Sequence, residues 1–245
     1  MEWQRSVRKP CCTGYLFLSC CYGPFDRDEE DGVVEVVCLK TLTNITKLIS
    51  LILYTKKVLR RRDMKEMTEK WFLENFTFPV KDYYIKLGFD FDKEPFSVSG
   101  SEFIHDYKQH HHEPNLHSQS VKVLEFFKDR GLTQSLLSAA SQDMLDDILQ
   151  YHDIGKYFMK IIGQDNHYAY GKEIVGKAWV DELHYGPHEV LFIGDTPHDY
   201  EVACYIGADC VLVANGHVSR ERLKNTGAPV FSNLNEMLFW LKGSF

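Results

Sequence analysis

The stretch Val190-Leu191-Phe192-Ile193-Gly194-Asp195-Thr196-Pro197-His198-Asp199 decides the fold. Four apolar residues in a row predict a strand that is buried on both faces, as in a parallel sheet covered by helices. The run stops at Gly194, and two aspartates follow, four positions apart. Pro197 suits the first turn of a helix, so Asp195 is expected at the strand tip and Asp199 one turn into that helix.

Asp195 and Asp199 are therefore predicted to face one small volume beyond the carboxyl end of the strand, where open α/β sheets bind their ligands. Two carboxylates held close together repel each other unless a cation lies near them, and Mg²⁺ prefers oxygen ligands of this kind. The sequence predicts a Mg²⁺ site at this position. The alternative is that Asp195 only caps the helix and that Asp199 is solvated.

Strands and helices alternate regularly after His117. Predicted strands lie at 135–138, 158–162, 190–193, 210–213 and 230–231, and predicted helices lie at 121–128, 142–151, 172–183, 200–206 and 233–241. This order requires a parallel sheet with right-handed crossover connections. The second half of the chain, 116–245, is therefore predicted to be a doubly wound α/β core.

Residues 33–115 predict a mainly helical region, and residues 1–32 form an N-terminal segment. A predicted amphipathic helix at 45–54 has a basic end that leads into Lys56, Lys57 and residues 60–62. Further predicted helices lie at 66–75, 80–87 and 101–107, among prolines and glycines. Asp90-Phe91-Asp92 and His110-His111-His112 are predicted to be exposed loops. The apolar run at 14–21 is a possible first strand of the core, and it is too short to span a bilayer.

Composition excludes several classes of function. The 245 residues carry a net charge of −7, which provides no basic surface for nucleic acid. The seven cysteines form no spacing that predicts a disulfide framework. We therefore expect a cytoplasmic protein with no membrane or nucleic-acid partner, and the sequence leaves its oligomeric state open.

Ser138 and Lys172 add a hydroxyl and an ammonium group beside the predicted strand ends. Such groups donate hydrogen bonds and positive charge to a dianionic phosphate, while carboxylates hold a metal that screens its other oxygens. Each residue also has a simpler interpretation: Ser138 could cap a strand end, and Lys172 could be a solvated lysine in a first helical turn.

The order of these residues resembles the haloacid dehalogenase-like superfamily, in particular its phosphoglycolate-phosphatase-like hydrolases. Ser138, Lys172 and the segment 194–199 resemble the second, third and fourth motifs, and residues 76–107 are similar to the helical cap of such enzymes. The resemblance implies a Rossmann-like core with a small helical cap and a phosphatase that transfers a phosphoryl group through an aspartyl-phosphate with Mg²⁺. A small phosphorylated metabolite is then the expected substrate.

The resemblance also implies a role for each matching residue. Ser138 and Lys172 would bind phosphoryl oxygens, and Lys172 would also take part in catalysis. Asp195 would bind the metal, and Asp199 would support that carboxylate or the water shell of the metal.

The first motif of that family, Asp-x-Asp-Gly-Thr after an apolar strand, is absent from this chain. The best candidate is the segment 25–32, in which Asp26 would be the nucleophile and Asp28 the general acid and base. Gly23-Pro24 interrupts the preceding strand, and Glu29-Glu30 would place like charge beside the phosphate. The alternative is a solvated acidic turn.

Two hypotheses of function follow. The first is a Mg²⁺-dependent phosphatase that acts through Asp26 and Asp28. The second is a catalytically silent relative that binds a phosphorylated ligand or a partner because its first motif is degenerate or lost. A divergent or wrongly joined start of the chain would lead to the same result.

Overall fold

A computed structural model describes residues 49–110, 112–164, 172–183, 185 and 189–244. The helices and strands in these ranges are α1 (Ile49–Arg60), α2 (Glu69–Asn75), α3 (Val80–Lys86), α4 (Phe96–His110), α5 (Ser120–Lys128), β1 (Ser135–Leu137), α6 (Gln142–Tyr151), a 3₁₀ turn (Gly155–Tyr157), β2 (Lys160–Ile162), α7 (Lys172–Leu183), β3 (Leu191–Gly194), α8 (Pro197–Ile206), β4 (Asp209–Val213), α9 (Arg220–Lys224), β5 (Val230–Phe231) and α10 (Leu234–Ser244).

All strand pairs in the described residues are parallel. β1 pairs with β2, and β4 lies between β3 and β5. Within the described ranges no ladder joins β1 to β3, although the sequence predicted one sheet. The apolar run at 14–21, which we predicted as a further strand of that sheet, lies outside the described residues.

Helices cover both faces of the sheet, as neighbouring residues of β3 show. Ile193 packs with α5 and α10, whereas Phe192 packs with α7 and α8. Successive side chains of a strand point to opposite faces, so β3 is buried on both sides. Leu137 of β1 shares the cluster of Phe192, and the two groups of strands therefore have a common core. These observations confirm the predicted doubly wound α/β architecture.

The helices α1 to α4, which we call the helical region, pack around an aromatic cluster. Phe72, Phe76 and Tyr83 are buried there, together with Leu212 of β4 and Leu223 of α9. The ring centroids of Phe72 and Phe76 lie 5.1 Å apart, and Tyr83 meets Phe72 edge to face. The helical region is thus attached to the α/β core through apolar contacts.

The first helix has the predicted basic end, whereas another predicted boundary is wrong. Helix α1 continues through the basic residues to Arg60, because lysine and arginine are good helix formers. Helix α4 includes His110, which we had predicted to lie in a loop. Arg62 donates hydrogen bonds to both carboxylate oxygens of Glu102, and this pairing joins α1 to the extended α4. The Asp90-Phe91-Asp92 segment is a turn with exposed aspartates, as predicted.

In the part of the chain that the structure covers, none of the helices combines the length and the apolar character that crossing a bilayer requires.

The chain that follows α4 is attached to α6 through histidines. Nε2 of His112 lies 2.8 Å from Oδ2 of Asp147, and its ring stacks on Tyr151 with centroids 4.2 Å apart. Burial lowers the pKa of His152 below its usual value, and the neighbouring His112 adds to this effect. A hydrogen bond with the backbone of Pro114 opposes the shift.

The lowered pKa of His152 predicts a loss of stability in acid. The folded protein holds this imidazole neutral more strongly than the unfolded chain does, so its contribution is complete above a pH of about 6.5 and is lost as the pH falls through the lowered pKa. The decrease in Tm between pH 7.5 and pH 5 should be smaller in His152→Gln than in the wild type. His105→Gln, at an exposed histidine, should behave like the wild type, and an equal decrease in all three proteins would contradict the prediction.

Candidate functional site

The turn between β3 and α8 is built around the Asp199 side chain. Thr196 is the N-cap of α8, and its hydroxyl oxygen accepts a hydrogen bond from the N–H of Asp199 at 3.2 Å. Asp199 Oδ2 accepts from the N–H groups of Asp195 and Thr196 at 3.0 Å each, and from the Thr196 hydroxyl at 2.8 Å. This capping box satisfies N–H groups that a helix start leaves unpaired. The buried Asp199 therefore fixes the position at which Asp195 leaves the strand.

Lys172, the first residue of α7, places its ammonium group against the same turn. Nζ lies 2.5 Å from Asp199 Oδ1, and the two side chains are 2% and 1% exposed. Removing two charges from water costs several kcal/mol for each ion, so each group depends on the other for compensation. Neither residue is solvated, and the structure brings them into direct contact.

Asp195 is fully buried, and the loop after β4 holds one of its carboxylate oxygens. Oδ2 accepts a hydrogen bond from the backbone N–H of His217 at 3.1 Å, and Nδ1 of the His217 ring lies 3.1 Å from the same oxygen. The second bond requires a proton on Nδ1. Gly216 permits this close approach, because a Cβ at that position would lie 1.7 Å from Oδ2.

Ser138 lies at the carboxyl end of β1 and is 3% exposed. Its backbone N–H donates to the carbonyl of Ile162 at 2.9 Å, and its Oγ accepts from the N–H of Ala140 at 3.1 Å. Within the described residues, no hydrogen bond or ion pair joins Ser138 to Lys172, Asp195 or Asp199. The strand and α7 are nevertheless in close contact, since a Cβ at Gly176 would lie 2.8 Å from Leu137 Cδ2.

The buried charges of the site affect a neighbouring thiol. Burial raises the pKa of Cys210 well above its usual range, and the Asp199 carboxylate adds to the increase, whereas Lys172 opposes it. Burial is the largest cause of this raised pKa, and Asp209 adds to it together with Asp199. Among the described residues, Asp195 and Asp199 lie beside the Lys172 ammonium, and two carboxylates this close favour a cation nearby.

The donor set of the site fits Mg²⁺ in part. Mg²⁺ in proteins keeps several waters and binds one or two carboxylates together with substrate phosphate. Asp195 could serve as such a carboxylate, while both oxygens of Asp199 bond to the turn or to Lys172 and would act by holding Asp195 in place. No group of three His, Cys, Asp or Glu side chains in the described ranges could hold a metal ion. Further ligands would therefore be water, phosphate oxygens or other residues of the chain.

Asp26 and Asp28, the predicted nucleophile and general acid, lie outside the described residues. Our sequence reasoning did not identify His217 and Gly216, which directly contact Asp195. A signal for them was present, because they follow the predicted strand at 210–213 and the ends of parallel strands meet at one edge of a sheet.

A comparison with protein families assigns the chain. Residues 40–213 match the model of the haloacid dehalogenase-like hydrolases. The chain belongs to this family. The matched region contains Ser138, Lys172, Asp195 and Asp199, and it begins after Asp28.

The curated relatives of the chain include phosphoglycolate phosphatases. The enzyme from Vibrio parahaemolyticus serotype O3:K6 (strain RIMD 2210633) is 26% identical over 149 residues, which is 59% of this chain and 65% of the relative. The enzyme from Vibrio vulnificus (strain YJ016) is 27% identical over 132 residues, which is 53% of this chain and 55% of the relative. The chain thus spans less than two thirds of the length of either relative.

Solved structures share the fold at lower identity. A predicted phosphatase from Clostridium acetobutylicum superposes with a TM-score of 0.71 at 19% sequence identity. The superposition covers 86% of this chain and 99% of the phosphatase chain. Protein Tyrosine Kinase A from Mycobacterium tuberculosis also gives a TM-score of 0.71, at 16% identity and with coverage of 86% and 99%. Proteins described by different activities therefore share this fold, and the residues of the site distinguish their functions.

The Lys172–Asp199 contact predicts a large effect of Asp199→Asn. The variant keeps the shape of the side chain but leaves a buried ammonium without its counter-charge, a change that costs about 3–5 kcal/mol in comparable pairs. Urea unfolding should show a loss of that order. Asp181→Asn breaks the exposed pair of Lys177 and Asp181 on the same helix and should cost much less. Similar losses for the two variants would contradict the importance of the buried pair.

The close approach at Gly216 predicts that alanine is not tolerated there. Because the added Cβ would overlap the Asp195 carboxylate, Gly216→Ala should cost about 1–3 kcal/mol in the free energy of unfolding, as overpacked sites do. Gly243→Ala serves as the control, since a Cβ at Gly243 meets no atom within 4 Å. The idea fails if both variants unfold at the same urea concentration as the wild type.

Proposed function

We propose that this chain is a Mg²⁺-dependent phosphatase that hydrolyses the phosphomonoester of a small phosphorylated metabolite. The observation that carries the proposal is the buried contact of Lys172 with Asp199, directly beside Asp195 at the carboxyl end of β3. The curated relatives are phosphoglycolate phosphatases, which supports the same reaction type. The proposed substrate class is a small phosphomonoester.

Lys172 and Ser138 are proposed to bind the phosphoryl oxygens. A lysine ammonium has three N–H donors, and Asp199 accepts one of them. The others would donate to an anion that binds beside the turn. Oγ of Ser138 accepts the N–H of Ala140, and its own hydroxyl proton can be donated to a second phosphoryl oxygen. These donors would stabilise the negative charge of the phosphoryl group during transfer.

Asp26 is proposed as the nucleophile. Its carboxylate oxygen would form a bond to phosphorus while the bond to the substrate oxygen breaks, and Asp28 would protonate the departing alkoxide. Water, deprotonated by Asp28, would then cleave the aspartyl-phosphate and release inorganic phosphate. Mg²⁺ held by Asp195 would supply positive charge for the phosphoryl oxygens.

The helical region is proposed to act as a cap over the site. The ring of Phe76, at the end of helix α2, stacks on the ring of His217. His217 is hydrogen-bonded to Asp195, so helix α2 ends next to the proposed metal ligand. Covering helices would keep bulk water away from the acyl-phosphate and would select the substrate. We further propose that the protein acts in the cytoplasm on a soluble metabolite.

A catalytically silent relative that binds a phosphorylated ligand is the second candidate. The observation that favours it is the start of the family match at residue 40, which leaves Asp26 and Asp28 outside the matched region. Lys172, Ser138 and Asp195 could still bind phosphate and metal in such a protein.

An activity assay separates the two candidates. With p-nitrophenyl phosphate and Mg²⁺, the proposed phosphatase should release phosphate, and Asp26→Asn should abolish turnover because a neutral amide cannot attack phosphorus. Asp195→Asn should weaken Mg²⁺ binding and lower the rate. Asp92→Asn, in the exposed Asp90-Phe91-Asp92 turn, is the matched control and should leave the rate unchanged.

An inactive wild-type protein would support the second candidate if inorganic phosphate with Mg²⁺ still binds in calorimetry and Lys172→Met abolishes that binding. Turnover that survives Asp26→Asn would show that another carboxylate is the nucleophile. A protein that neither hydrolyses nor binds phosphate would overturn both candidates.

A further inference from the structure

His217 contacts both the α/β core and the helical region. Its Nδ1 and its backbone N–H each lie 3.1 Å from Asp195 Oδ2. The face of the same ring lies on Phe76, with centroids 4.7 Å apart and the planes inclined by 19°. The ring of Phe72 is 6.1 Å away, and His217 is only 5% exposed. One buried side chain thus touches the candidate metal ligand through its edge and the end of α2 through its face.

Backbone contacts attach the end of α2 to the segment that follows His217. Arg222 donates to the carbonyl of Leu73 at 3.1 Å and to the carbonyl of Phe76 at 2.9 Å, and the N–H of Ser219 donates to Leu73 at 3.1 Å. Carbonyls in the last turn of a helix lack partners inside the helix, so these bonds satisfy groups that would otherwise be unpaired. The end of α2 is therefore docked on the same stretch of chain that holds Asp195.

We propose that His217 is a positioning residue that couples the orientation of the Asp195 carboxylate to the docking of α2. The inference rests on the proposed function in one respect, namely that Asp195 binds Mg²⁺. Two donors on one oxygen restrict rotation of the carboxylate. The stack on Phe76 restricts the ring that supplies one of those donors.

The coupling has a consequence for the metal. When Phe76 moves away, the His217 ring loses the surface that holds it, and of the two His217 donors the backbone N–H still orients Asp195. Groups that orient a metal ligand contribute about 10–100-fold to metal affinity. Mg²⁺ affinity therefore depends on an aromatic contact made by a helix that supplies no metal ligand.

Two substitutions at His217 separate the two contacts. His217→Phe keeps a ring on Phe76 and removes the side-chain donor, so Mg²⁺ affinity should fall by about 10–100-fold while α2 stays docked. His217→Asn keeps a short amide donor near Asp195 and removes the stack. Its Mg²⁺ affinity should be closer to that of the wild type, and the backbone amides at the end of α2 should exchange hydrogen faster.

Phe76→Leu tests the coupling itself. This change touches no proposed ligand, yet it should weaken Mg²⁺ binding in the wild-type background and have no further effect in His217→Phe, where the donor is already missing. Titration calorimetry with MgCl₂ measures the affinities, and hydrogen exchange with mass spectrometry measures the docking. His198→Asn is the matched control. The ring centroids of His198 and Phe78 lie 5.4 Å apart, and the hydrogen-bond partner of His198 is Glu201 and not Asp195.

The outcomes distinguish the inference from the proposed function. If Asp195→Asn weakens Mg²⁺ binding but Phe76→Leu does not, His217 is no coupling residue and the inference is overturned. If the wild type does not bind Mg²⁺, or if Asp195→Asn binds Mg²⁺ as tightly as the wild type, the proposed metal site is wrong. Hydrogen exchange alone then tests whether His217 couples Asp195 to the docking of α2. Exchange at the end of α2 should then rise in His217→Asn and Asp195→Asn and stay unchanged in His217→Phe. Equal hydrogen exchange at the end of α2 in all variants would overturn the inference that His217 couples the two.

Discussion

The buried ion pair between Lys172 and Asp199 is the interaction on which the candidate site depends. It joins the first residue of α7 to the first turn of α8, and both side chains are excluded from water. Asp199 can hold the Asp195 and Thr196 amides in place because Lys172 compensates its charge. The pair therefore determines where β3 ends, how α8 begins and how Asp195 is presented.

The position of the pair at a helix start reduces the cost of burying two aspartates. Asp199 lies in the first turn of α8, and Asp195 lies directly before it. The N–H groups at a helix N-terminus carry partial positive charge and favour negative side chains there. The N–H groups of Asp195 and Thr196, which lie directly before the helix, donate hydrogen bonds to Asp199, so these bonds add to the effect of the helix N-terminus. The carboxyl end of β3 can thus hold more negative charge than a strand end without a helix behind it.

The sequence predicted the parts of the site whose signals are local. The apolar run before Gly194, the aspartates after it and the start of α7 at Lys172 are all readable from neighbouring residues. Three kinds of feature were not predictable in this way. The His217 contact joins residues 22 positions apart and has no periodic pattern. Helix α9 has only 5 residues, too few for a periodicity. Asp26 and Asp28 have the right mutual spacing, but no local pattern shows whether they end a strand.

The charges of the described site residues support the cation that we propose for both candidate functions. Among the described residues, Asp195 and Asp199 bring two carboxylates next to the Lys172 ammonium, and a phosphate dianion would add further negative charge beside them. At an effective dielectric constant of about 20, two like charges 4 Å apart repel by about 4 kcal/mol. Lys172 already compensates Asp199, so it cannot also neutralise the whole phosphate. If phosphate binds at these strand ends as proposed, a further positive charge would stabilise it, whether the bound group is hydrolysed or only held.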